Sequence, residues 1–273
     1  MKKELWVLLI ILSILCISCS GETAKEQPEQ SQPEVVAEEE VVDETPRENC
    51  SHLIDAAQRG DLKLVNKLYD GGCNINSLNK KKYTALHWAA RTGKLDMINL
   101  LLEKGADINA KTPSGETPII SAAMYSENEA AKLLLEKGAD VNDKRRDGYS
   151  ALLFAAANGK VKLANLLIKN GADVNHKKSN GDTVLMHASK TGNADTVSLL
   201  LESGANVNDK NKGDYTALIF AAAYGKTDTV NVLIKNGADV TIKNNRDESA
   251  LSIAEKYKKM DTVEMLKAAG VKE

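Results

Sequence analysis

Histidine, cysteine, carboxylate and closely spaced glycine carry most protein chemistry, and here their spacing argues against most of it. The four histidines, His52, His87, His176 and His187, fall at no metal-ligand spacing. The acids are numerous, but none pairs with a plausible acid–base partner. Every Gly-x-x series is a turn rather than a loop that could cradle phosphate. The residues therefore imply no catalytic, cofactor-binding or metal site and no small-molecule substrate, and the chain is read as a non-enzyme. Four cysteines, Cys16, Cys19, Cys50 and Cys73, are too few for a disulfide-built scaffold.

One cysteine has a chemical reading of its own. Met1-Lys2-Lys3 is a positive start, and Leu5 to Ile17 is apolar apart from Ser13. A run of about 13 residues suits the hydrophobic region of a signal peptide better than a membrane span. Ile17-Ser18-Cys19-Ser20 resembles the lipobox of bacterial lipoproteins, with Cys16 departing from it where that motif usually has Leu. The resemblance implies cleavage before Cys19, lipidation of that residue, and a place in the bacterial cell envelope, lipid-anchored at the periplasmic face or cell surface. An ordinary cleaved signal and an uncleaved anchor are the other readings, although no A-x-A site is present.

Charge divides the chain. Residues 1–19 carry +1 and residues 20–48, with ten acids against Lys25 and Arg47, carry −8; the formal total of −2 leaves +5 for residues 49–273. Pro28, Pro33 and Pro46 interrupt any helix in the acidic stretch. It reads as a disordered tether with a reach of roughly 30 Å as a flexible coil. The overall charge makes no case for nucleic acid. Aromatics are only 4% of the chain, thin for a β-sandwich or barrel.

What positions the remaining residues is a repeat. Gly72, Gly105, Gly138, Gly171, Gly204, Gly237 and Gly270 stand 33 residues apart, in phase with Ser51, Thr84, Thr117, Ser150, Thr183, Thr216 and Ser249. Thr84-Ala85-Leu86-His87-Trp88-Ala89-Ala90 carries the fullest motif, and Gly-Ala-Asp-Val-Asn recurs. In period and motif, residues 49–273 resemble the ankyrin repeat family. The resemblance implies an all-α ankyrin-repeat solenoid of helix–turn–helix units joined by β-hairpin loops, with about seven repeats including polar caps at both ends. Each Thr or Ser is expected to N-cap a first helix. Gly93, Gly159, Gly192 and Gly225 are expected to close it in a left-handed turn before the second helix. Unit three breaks the pattern with Tyr125-Ser126-Glu127-Asn128-Glu129 and is expected to be the weakest joint. His87 matches the family's structural histidine, whereas His187 is displaced by one position toward the groove. The expected organisation is a signal peptide over 1–18, lipidated Cys19 and the tether through 48, and the repeat domain over 49–273.

An array of this kind offers a surface without a closed cleft, so the expected function is a membrane-anchored scaffold. It would bind an unknown protein partner through hairpin tips and the inner helices. Trp88, Arg91, Tyr125, Arg146, Tyr149, Phe154, Asn158, Lys190, Tyr215, Phe220 and Tyr224 occupy positions that the family uses for recognition. Tyr83, Tyr149 and Tyr215, and Trp88, Phe154 and Phe220, recur at 66 residues, as either a duplicated two-unit block or an aromatic stripe. Lys111, Lys144, Lys177, Lys210 and Lys243 are either a solvated edge or a basic strip for the tether or an acidic partner. Cys50 and Cys73 flank the first helical pair; either they form a disulfide, permitted outside the cytoplasm, or Cys73 fills the place that Ala106 takes in the next unit. The alternative functions are an envelope immunity or protective protein neutralising a toxin or enzyme, and a structural, self-associating envelope organiser.

Overall fold

The computed structural model describes residues 50–270; the expected signal peptide, Cys19 and tether lie outside them. Among the described residues there are 14 helices in seven antiparallel pairs. The first helices of the units are α1 (Ser51–Arg59), α3 (Ala85–Arg91), α5 (Pro118–Tyr125), α7 (Ala151–Ala157), α9 (Val184–Thr191), α11 (Ala217–Ala223) and α13 (Ala250–Lys256). Their partners are α2 (Leu62–Asp70), α4 (Leu95–Glu103), α6 (Asn128–Glu136), α8 (Val161–Lys169), α10 (Ala194–Glu202), α12 (Thr227–Lys235) and α14 (Met260–Ala268).

None of these helices exceeds nine residues, too short to persist alone in water. Burial supplies what length does not. Leu101, Leu134, Leu167, Leu200, Leu233 and Leu266, each 33 residues on from the last, are fully buried on the second helices. Pairs such as Ala89 and Ala90 or Ala155 and Ala156 are equally buried on the first helices. The methyl side chains let odd-numbered helices pack on one another more closely than the even-numbered ones do. The face lined by the odd-numbered helices is the groove side of the stack.

The caps follow the sequence with two exceptions. Thr84, Ser150, Thr183, Thr216 and Ser249 each accept a bond from the backbone N–H three residues on. In α1 the N-cap position falls on Cys50, at φ −72° and ψ −17°, so the helix begins at Ser51 itself rather than after it. Thr117 caps nothing, and its hydroxyl is buried without a partner; Pro118 opens α5 with its fixed φ instead. The connections between units carry single antiparallel bridges at Lys144–Ser150, Lys177–Thr183 and Lys243–Ser249. An asparagine ladder joins successive turns. Asn76, Asn109, Asn142, Asn175 and Asn208 each accept the backbone N–H of the residue 31 positions on.

Candidate functional site: aromatic rings and cations of the groove

The left-handed turns behind the first helices decide where the groove residues point. Gly93, Gly159, Gly192 and Gly225 have φ between 63° and 85°. Ser126 adopts the same conformation at φ 64° in unit three. The residue at or next to each turn then stands at the open end of its helix. Tyr125 and Tyr224 are 42% and 46% exposed there, and Asn158 and Lys190 are exposed too. Arg146 is exposed at a hairpin tip. Neither Arg146 nor Asn158 makes a side-chain bond or ring contact among the described residues.

Trp88, Arg91, Tyr149, Phe154, Tyr215 and Phe220 are half-buried, and the five rings among them pack on the core. The aromatic pairs close within their own units. Ring centroids lie 6.1 Å apart for Tyr83 and Trp88, 4.8 Å for Tyr149 and Phe154, and 5.3 Å for Tyr215 and Phe220.

Cations cover several of these rings. The Arg91 guanidinium lies between two of them, its carbon 4.7 Å from the Trp88 centroid and 4.1 Å from that of Tyr125. The Lys178 ammonium is 3.9 Å from Tyr149, and that of Lys190 is 5.1 Å from Tyr224. His187, at the position that sequence assigns to the groove, sits edge-on to Tyr149 with centroids 5.6 Å apart. Burial, and then Lys178, hold its imidazole below the ordinary value, which favours the neutral ring. Asp182, Met186, His187, Lys190 and Phe220 line a shallow recess between units five and six.

Sequence reasoning missed Glu116. It is 3% exposed, a costly place for a carboxylate unless its oxygens are engaged. Ser121 donates its hydroxyl to Oε1 at 2.6 Å and Tyr83 donates to Oε2 at 3.0 Å. Arg145 approaches Oε2 at 3.9 Å. His87 Nε2 bonds the backbone carbonyl of the same residue at 3.0 Å, while Nδ1 lies 2.8 Å from the Thr84 hydroxyl. Units two, three and four are thus tied at one point, and the aberrant unit three lies at its centre. A signal for this existed. The residue before each expected cap runs Tyr83, Glu116, Tyr149, Asp182, Tyr215, Glu248, aromatic and acid in turn.

The lysine ladder is largely neutralised. Lys111 meets Asp143 at 2.6 Å and Lys177 meets Asp209 at 3.0 Å, each pair linking neighbouring units. Lys210 and Lys243 pair with Asp214 and Asp247 within their own hairpins. Only Lys144 of the five has no acid partner among the described residues. Cys50 and Cys73 are joined in a disulfide with their Cα atoms 5.3 Å apart. No three His, Cys, Asp or Glu side chains among the described residues gather as a metal ion would require.

Comparison with known proteins agrees with this architecture. A family model for ankyrin repeats in three copies matches residues 53–145 and 142–211, and a second, for many copies, matches residues 200–254. No curated protein matches. Among solved structures, the crystal structure of the human ASB11 ankyrin repeat domain is similar, with 27% identity and a TM-score of 0.72 over 81% of this chain and 98% of that one.

Proposed function

Since the chain belongs to the ankyrin repeat family, we propose that it is a non-catalytic scaffold that grips another protein in its groove while Cys19 anchors it to a membrane. One observation carries the binding half of this reading. Exposed Tyr125 and Tyr224 and the cations stacked on them stand on a rigid face whose other side is packed into the core. Side chains already held in place lose little freedom on binding, and Tyr and Arg are the residues on which interface energy concentrates. The anchor rests on the lipobox-like sequence at Cys19; two or three acyl chains, each contributing about 0.8 kcal/mol per buried CH₂, would hold the chain stably to a bilayer.

The full chain, affinity-tagged and expressed in a bacterial envelope, tests both halves. Tyr125→Ala and Tyr224→Ala are the informative variants, because Trp88, Phe154 and Phe220 also hold the stack together. Loss of a captured protein with unchanged thermal unfolding supports the groove, and undiminished capture by both variants removes it. Incorporation of a labelled fatty acid that persists in Cys19→Ser removes the anchor.

A further inference from the structure

We propose that the groove from Arg91 to Lys190 receives an extended acidic peptide segment, whose carboxylates seat on the cations that the aromatic rings support. The inference rests on the protein-binding reading above and names the chemistry of the partner.

The argument starts from which positive charges are already satisfied. Lys111, Lys177, Lys210 and Lys243 of the hairpin edge meet aspartates. Arg145 lies against Glu116 and Asp147, and Lys256 against Glu248. Arg91, Lys178 and Lys190 differ: each lies over a ring, and none has a carboxylate partner among the described residues. A ring face attracts a cation and fixes its position. It does not neutralise the charge, and it leaves the N–H edge to seek an acceptor. The five N–H donors of the Arg91 guanidinium thus have no carboxylate partner among the described residues.

Two acids beside this face are already engaged. Glu116 is buried and takes both hydroxyl bonds described above. Asp182 accepts the side-chain amides of Asn180 and Asn211. The groove thus presents fixed, unpaired positive charge beside exposed tyrosine, which is the complement of a chain bearing carboxylates and apolar side chains. Arg91 is in unit two and Lys190 in unit five. Three steps of about 10 Å each make roughly 30 Å, the span of about nine extended residues at ~3.3 Å each. The pair of Tyr149 and Phe154 lies between and would meet an apolar residue of such a segment. Single-stranded nucleic acid, which also favours cations with aromatics, fits less well: Arg91, Lys178 and Lys190 already occupy faces of the rings on which bases would stack.

Fluorescence anisotropy on the full chain in detergent tests this, with a labelled dodecapeptide of alternating Glu and Val as the probe. The expected result is saturable binding that weakens at least about tenfold when Gln replaces Glu in the peptide, and again at least about tenfold in Arg91→Gln or Lys190→Gln. Lys190 is exposed, so its variant should keep the parent's thermal unfolding. Arg91→Lys should bind between parent and Arg91→Gln, because it keeps charge and loses the fork. Lys162→Gln, on the second helix of unit four, should bind as the parent does. Equal binding of the Gln peptide, equal affinity of Lys190→Gln and Lys162→Gln, or tighter binding of a twelve-residue oligothymidylate would overturn the proposal. If it falls while Tyr125→Ala and Tyr224→Ala still lose their captured protein, the acidic chemistry alone is wrong. If those variants also retain it, the groove reading falls with it.

Discussion

Glu116 and His87 show how two individual side chains hold three units in register. Removing the Glu116 carboxylate leaves the Tyr83 and Ser121 hydroxyls without their acceptor and Arg145 without one of its acids. Glu116→Ala should lower unfolding stability by about 3 kcal/mol, and Glu116→Gln, which keeps one acceptor oxygen, should lower it less; urea unfolding of the two variants checks the order. His87 makes a pH-dependent contribution. Burial holds its imidazole below the ordinary 6.5, against the smaller opposing effect of its bond to the Glu116 carbonyl. The unfolded ring titrates near the ordinary value, so as pH falls the unfolded chain takes up the proton first. The stabilisation is complete above about 6.5 and is lost as pH falls through the lower folded value. His187 acts in the same sense, through burial and then Lys178. Urea midpoints measured from about pH 8 to about pH 5 should therefore decline, and the decline should be smaller in His87→Gln.

At the scale of the element, the turn between paired helices matters more than either helix. It needs a residue with φ in the left-handed region, and glycine fills that place in units one, two, four, five and six, as Gly60, Gly93, Gly159, Gly192 and Gly225. Ser126 and Lys258 hold the same conformation without being glycine, a strain of order 1 kcal/mol each. The expectation that unit three is the weakest joint is thus divided. Its first helix is fully buried from Pro118 to Ala123 and tied through Glu116, while its turn carries the strain. Ser126→Gly should raise stability by about 1 kcal/mol and slow hydrogen exchange in α5 and α6; unchanged exchange there would show that the turn does not limit this unit. Lys82, Asp214 and Asp247 adopt left-handed φ in the hairpins where Gly115, Gly148 and Gly181 do so elsewhere. This ladder escaped the sequence reading because three residue types occupy it.

For the molecule as a whole, stability passes from neighbour to neighbour, so the ends bear on everything between them. The Cys50–Cys73 disulfide closes the first unit on itself over 23 residues of sequence. A crosslink over a loop of this size contributes about 3 kcal/mol in the chain-entropy account. Reduction, or Cys73→Ser, should expose α1 and α2 to protease well before α7 to α12; simultaneous cleavage of all units would show that the cap and the body unfold together. The repeat, the paired short helices and most of their caps were legible from residue types alone, because a strict 33-residue period admits one local geometry for Gly, Thr and Leu wherever they recur. Thr117 and Ser51 departed from that pattern where a proline and a helix begun one residue early took over. Which charges remain available was not legible. The lysine ladder looked like the basic surface, and its aspartate partners lie 32 residues on in the next unit or four residues on across a hairpin. Arg91 finds Tyr125 34 positions away, and Glu116 finds Tyr83 33 positions back. Backbone preferences act within a few residues and can be read along the chain; whether a charge meets an acid or a ring depends on which side chains the stack brings opposite each other, and that was decided only in three dimensions.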